Sequence, residues 1–227
     1  TVESKAVIKK LLEQDSRIRL VEFKENQFSW DDPLMMLDTC LNAGLKEARG
    51  EFIWYQSDDD FISPNYLESM VRLFTDNPKC TSAAGLPVGV NIKKDIISSV
   101  GDRKNNFRPR YMSGKDLALE VLKGKTTLFS APGTIFSFRK KDLVACGGFN
   151  RAIELQQMYG IVPFGVTGFD EDAHLYWRYH DSQLNKVLTR NGFVNHPNVF
   201  SMIKKCNIKK RWTDAYGCLL YTSDAAD

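Results

Sequence analysis

Three consecutive carboxylates, Asp58, Asp59 and Asp60, follow the apolar run "GEFIWYQS" at residues 50–57. Two carboxylates ~4 Å apart repel by roughly 4 kcal/mol at an effective dielectric of 20, so such a trio either fans out into water or holds a cation. All-oxygen ligation suits magnesium or manganese, with substrate phosphates completing the shell. In an extended chain Asp58 and Asp60 share a side and Asp59 opposes them, whereas a turn brings neighbours onto one ion. Taken alone, the triplet is better explained by a solvated acidic turn that caps the helix after it. A second acidic stretch, Asp170, Glu171 and Asp172, lies in "GFDEDAHLYWR" and reads as the first turn of a helix. There the ionised carboxylate is stabilised, which suits a group that must take a proton from a hydroxyl and equally suits the helix dipole itself.

The elements that must position these acids alternate. "TVESKAVIKKLLEQ" is an amphipathic helix with Val7, Ile8, Leu11 and Leu12 on one side, and "IRLVEF" at residues 18–23 is a short β-rich run. "PLMMLDTCLNAGLKEA" has a helical period behind a proline, "GEFIWYQ" is a strand, and "SPNYLESMVRLFTDNP" is a helix with Ser63 as its cap. This order predicts an α/β fold with a mostly parallel sheet flanked by helices, and ligands in such sheets bind at the carboxyl ends of the strands. Further on, "CTSAAGLPVGV" and "GTIFSF" are expected strands. "SGKDLALEVLKG" and "RKKDLVACGGF" are expected helices, each closed by glycine. No internal repeat or linker interrupts the chain, so a single domain over residues 1–217 is expected.

The 227 residues carry 31 basic and 28 acidic side chains, for a net charge of +3. That positive charge is dispersed and the proposed cleft is acidic, which argues against a nucleic-acid partner. No apolar run is long enough to cross a bilayer, and five cysteines without close pairing favour neither a disulfide framework nor a zinc site. A soluble protein of a reducing, cytoplasmic compartment is the expectation. Basic pairs such as Lys93/Lys94 and Arg108/Arg110 can attract a diphosphate or an anionic lipid surface, and otherwise are simply solvated. Residues 218–227, "CLLYTSDAAD", read as a translated sequencing adapter rather than native chain, and the abrupt Thr1 start reads as a gene fragment.

"LNAGLKEARGEFIWYQSDDDFISPNYLESM" resembles the central block of the family 2 glycosyltransferases with the GT-A fold. In that family an N-x-G-x-x-x-A-x-G-E segment leads into a strand and an aspartate motif, and Asn42, Gly44, Ala48, Gly50 and Glu51 match it. Ser57 stands on the family's first aspartate, with Asp59 and Asp60 on the last two. The resemblance implies that Asp58 and Asp60 contact the nucleotide sugar, together with Gly133, and that Asp59 and Asp60 hold a divalent Mg²⁺ or Mn²⁺. "GFDEDAHLYWR" resembles the family's E-D motif. It implies Asp172 as the catalytic base and Glu171 as an acceptor contact, with Gly148 of "ACGGFN" on the acceptor side.

The implied activity is inverting transfer of a sugar from a nucleotide-diphosphate donor to an acceptor hydroxyl on a glycan or lipid-linked carrier. Bacterial surface polysaccharide assembly is the family's usual setting, with peripheral association at the inner membrane face. The family's opening strand, helix and strand have no counterpart, so the fragment is expected to be inactive or poorly folded. A nucleotidyltransferase of sugar-nucleotide metabolism and a noncatalytic carbohydrate-binding domain are the competing readings. Tyr159 and Phe164 can wall an acceptor site or fill a core. His174, His180 and His196 read as surface or core residues, with His196 best placed by its loop to reach a metal.

Overall fold

The structure, a computed structural model, describes residues 2–99, 109–122, 133–149 and 160–191, together with Lys210, Thr213 and Asp214. The chain divides into two compact units, Thr1–Ala48 and Arg49–Asp227. In the first, α1 (Val2–Gln14) and α2 (Met35–Glu47) form where the helical periods lie. Val7, Ile8 and Leu11 of α1 are all exposed. The expected strand at residues 18–23 does not form: the run has no ladder partner among the described residues, and Ile18, Leu20 and Val21 stay exposed. A β-rich run becomes a strand only when another backbone takes its hydrogen bonds.

The second unit is built on one seven-stranded sheet. Its strands are β1 (Phe52–Ile53), β2 (Phe61–Ile62), β3 (Cys80–Val90), β4 (Ile96–Ser99), β5 (Tyr111–Ser113), β6 (Phe136–Arg139) and β7 (Val166–Arg178). They run in the order β1-β6-β3-β7-β2, with β4 added to β3 and β5 to β7. Helices α3 (Tyr66–Asp76), α4 (Gly114–Leu122), α5 (Lys140–Ala145) and α6 (Leu184–Arg190) accompany it. The α/β, GT-A-like class is the one expected. The strand directions within it are more mixed: the long β3–β7 ladder is parallel, and the other ladders among the described residues are antiparallel.

Strand β3 is central because nearly every residue of it can be buried, as expected of a strand covered on both faces. Helix α3 packs Tyr66, Met70, Leu73 and Phe74 into the core, each almost wholly buried and each contributing on the order of 2 kcal/mol. The Tyr66 hydroxyl donates to the Ile135 carbonyl at 2.5 Å, which keeps its polar end satisfied inside the core. Arg139, at the end of β6, is buried and ties several elements at once. It donates to the carbonyls of Cys80 and Phe74 at 2.8 and 2.9 Å, pairs with Glu51, and lies over the rings of Phe52 and Phe74.

Strand β7 replaces the helix expected at "DEDAHLYWR". Buried Ala173 and Leu175 alternate with half-buried His174 and Tyr176, a period of two that a helix cannot serve. The β3–β7 ladder has one large irregularity. Ala84 pairs with Phe169 and Leu86 with His174, so Asp170, Glu171, Asp172 and Ala173 all stand opposite the single residue Gly85. The bulge needs that glycine: a Cβ there would overlap the Ala173 carbonyl oxygen and come within 2.7 Å of the Tyr66 ring.

Candidate functional site

The acidic triplet lies on the turn between β1 and β2. Asp58 and Asp59 form the turn itself, Asp58 exposed and Asp59 and Asp60 half-buried. Strand β2, immediately after, pairs antiparallel with the end of β7, Phe61 opposite Tyr176 and Ile62 opposite Leu175. This register brings the triplet beside residues 178–180. The Arg178 amide donates to Asp60 Oδ1 at 3.0 Å. His180 Nε2 lies 2.9 Å from Asp59 Oδ2, while its Nδ1 lies 2.9 Å from Ser182 Oγ. Phe61 stacks on Tyr176 with ring centroids 4.7 Å apart and carries the Arg178 guanidinium on its face. The Arg178 Nε is buried without a hydrogen-bond partner.

These contacts set the electrostatics. Burial pushes the Asp60 carboxyl up to about 6, with the neighbouring Asp59 charge adding to the effect, while the Arg178 amide pulls the other way. A carboxylate withdrawn from water beside a second carboxylate is one that a cation would stabilise. Two carboxylates are also what a protein commonly gives to magnesium when substrate phosphates supply the rest. Asp59 and Asp60 therefore fit a divalent ion as a two-carboxylate site, with His180 on the same edge. No cluster of three or more His, Cys, Asp or Glu groups suited to a metal occurs among the described residues.

The second acidic stretch sits on the β7 bulge, not at a helix start. Asp170 Oδ1 accepts from the Asp172 amide at 3.0 Å, closing a local turn, and Glu171 and Asp172 are exposed. The bulge is fastened to the segment that leaves the triplet. Ser63 and His174 exchange hydrogen bonds at 2.9 Å, and the Asn65 side chain donates to the Asp172 carbonyl at 3.1 Å. Ser63 thus acts as a cross-link to β7 and leaves Asn65 as the residue preceding α3. Asp59 and Asp172 are fastened to opposite ends of the β2–β7 pairing.

Of the remaining expected residues, Gly133 opens a 3₁₀ turn, Gly133–Ile135, whose Thr134 carbonyl accepts from Trp54 at 2.7 Å. Gly148 is buried in the turn that ends α5. Gly147 and Gly148 adopt φ of 92° and 76°, and their amides return to Val144 and Leu143, as a glycine-closed helix requires. Phe164 is half-buried in a second 3₁₀ turn, and Tyr159 and His196 lie outside the described residues. Sequence reasoning passed over Arg178 and read His180 as a surface or core residue, whereas its ring meets Asp59. Their signal was the alternation of His174, Tyr176, Arg178 and His180, one face of a strand.

A mixed α/β sheet with an acidic turn leading into the edge strand β2 and a second acidic segment on the adjacent β7 is consistent with a GT-A-like fold. The model of the family described as glycosyl transferase family 2 matches residues 1–143. The chain belongs to that family. It is 32% identical over 106 residues to EpsH of Bacillus subtilis (strain 168), a protein named as a glycosyltransferase. The match covers 44% of this chain and 28% of that relative's length.

Proposed function

We propose that this domain transfers a sugar from a nucleotide-diphosphate donor to an acceptor hydroxyl, with inversion at the anomeric carbon. The observation that carries the reading is the Asp59–Asp60 pair, which is held by His180 and the Arg178 amide on the turn of a family-matched segment. Asp59 and Asp60 would hold Mg²⁺ or Mn²⁺, which supplies charge neutralisation for the departing diphosphate. Asp58, exposed at the tip, would meet the nucleotide. Asp172 presents an exposed carboxylate from the bulge and takes the acceptor proton, with Glu171 beside it as an acceptor contact. Family membership and the name of the Bacillus relative support glycosyl transfer. A cytoplasmic setting, a glycan or lipid-linked acceptor and a role in surface polysaccharide assembly complete the proposal.

The test is made on the complete coding sequence that carries this domain, with nucleotide sugars and Mg²⁺ or Mn²⁺ and release of nucleoside diphosphate as the readout. Asp59→Asn is expected to lower kcat/KM by at least ~100-fold, about 2.7 kcal/mol of transition-state stabilisation. Turnover that persists in Asp59→Asn, or that releases pyrophosphate instead, would sink the reading.

A further inference from the structure

Asp172 is held by its backbone and left open at its side chain. Its amide donates to Asp170 Oδ1 at 3.0 Å, its carbonyl accepts from the Asn65 side chain at 3.1 Å, and the residue is exposed. The next two residues are anchored as well. Ala173 is wholly buried, with its carbonyl oxygen so close to Gly85 that no Cβ would fit between them. The His174 amide donates to Ser63 Oγ and its carbonyl accepts from the Ser63 amide, both at 2.9 Å. Residues 170–173 all stand opposite Gly85 and so leave the regular β3–β7 ladder. What fixes Asp172 is therefore this set of bonds, two of whose members, Ser63 and Asn65, lie in the short segment between β2 and α3.

Asn65 does something other than what its position suggests. It is the residue before α3, where an asparagine ordinarily turns its side chain onto the first amides of the helix. Here it makes no such cap, and its carboxamide reaches across 107 positions of chain to the Asp172 carbonyl. Serine serves as well as asparagine before a helix, so a purely helical role would tolerate Asn65→Ser. The shorter hydroxyl cannot span to Asp172. A general base must come within hydrogen-bond reach of the proton it takes, and a misplacement of ~1 Å costs on the order of 100-fold in rate. Pinning the backbone while leaving the carboxylate in the open meets that demand: the group stands in one place and an incoming hydroxyl can still approach it.

We infer that Asn65 is a positioning residue for Asp172, with Ser63 as the second anchor of the same bulge. The inference rests on the glycosyl-transfer reading for the role of Asp172. In the complete protein that carries this domain, Asn65→Ser is expected to keep the wild-type thermal transition and the shape of the pH profile, since the base itself remains. It should lower kcat by ~10–100-fold while the donor KM stays within ~3-fold. Hydrogen exchange at the Asp172 and Ala173 amides should quicken at least ~10-fold, with the amides of α3 unchanged. Asn65→Gln keeps a carboxamide donor and should recover most of the lost kcat. On an Asp172→Asn background, Asn65→Ser should cost no further turnover, because no base is left to position. Exchange at the bulge that is equal in Asn65→Ser and wild type, or losses that multiply in the double variant, would overturn the inference. Undiminished turnover in Asp172→Asn would overturn the base assignment and the positioning role with it, and faster exchange in Asn65→Ser tells that result from a failed anchor.

Discussion

Asp60 shows how one side chain couples stability to site chemistry. Its folded carboxyl titrates near 6, against an ordinary value of 3.8. As pH rises from about 4 to about 6, the unfolded chain gives up this proton while the folded chain keeps it, so stability falls across that window. Above about 6 the penalty is fully present. Asp60→Asn keeps an oxygen for the Arg178 amide and removes the charge. Thermal melts should therefore show the variant matching wild type near pH 4, gaining on it up to about pH 6 and holding that gain at pH 7; a constant offset would disprove the assignment. Millimolar Mg²⁺ or Mn²⁺ should raise the wild-type Tm at pH 7, more than at pH 5, and the gain should disappear in Asp59→Asn. At this scale the sequence was informative about residue type and poor about partnership. Asp59 and Asp60 stood out as consecutive acids after an apolar run, but His180 lies 121 positions away from Asp59 and only the β2–β7 register brings them together.

At the scale of elements, Arg139 and Gly85 are the two residues on which packing turns. Arg139→Met would leave the Cys80 and Phe74 carbonyls without their donor and strip Glu51 of its partner, a loss of about 3 kcal/mol measured by urea unfolding. Gly85→Ala should cost about 1–3 kcal/mol, because the new methyl group meets the backbone of Ala173 and the ring of the fully buried Tyr66. The helices α1, α2 and α3 and strand β3 were legible because each carries its own period and its own stop signals. The error at β7 has a definite source. An acidic triplet before an apolar stretch looks like a dipole-matched helix start, yet the same residues lie on a bulge whose neighbours alternate. Residues 18–23 failed in the reverse direction, since β-propensity names a candidate strand and says nothing of whether an edge is there to receive it.

Across the whole molecule, the density of packing differs between the two units. Strands β3 and β7 share a ladder in which Ala83, Ala84 and Leu175 are wholly buried, whereas α1 is a 13-residue helix with Val7, Ile8 and Leu11 exposed to water. Helices of that length are marginal on their own. Hydrogen exchange should find the amides of residues 82–90 opening only with global unfolding and those of residues 2–14 exchanging orders of magnitude faster. Equal protection in both segments would contradict this division. The four residues facing Gly85 have one more consequence. Because the β3–β7 ladder is broken there, the halves of β7 on either side need not stay in step. Lengthening or shortening residues 170–172 would alter which acids are displayed while the pairings on either side of the bulge keep their register, so diversification of this bulge is decoupled from folding.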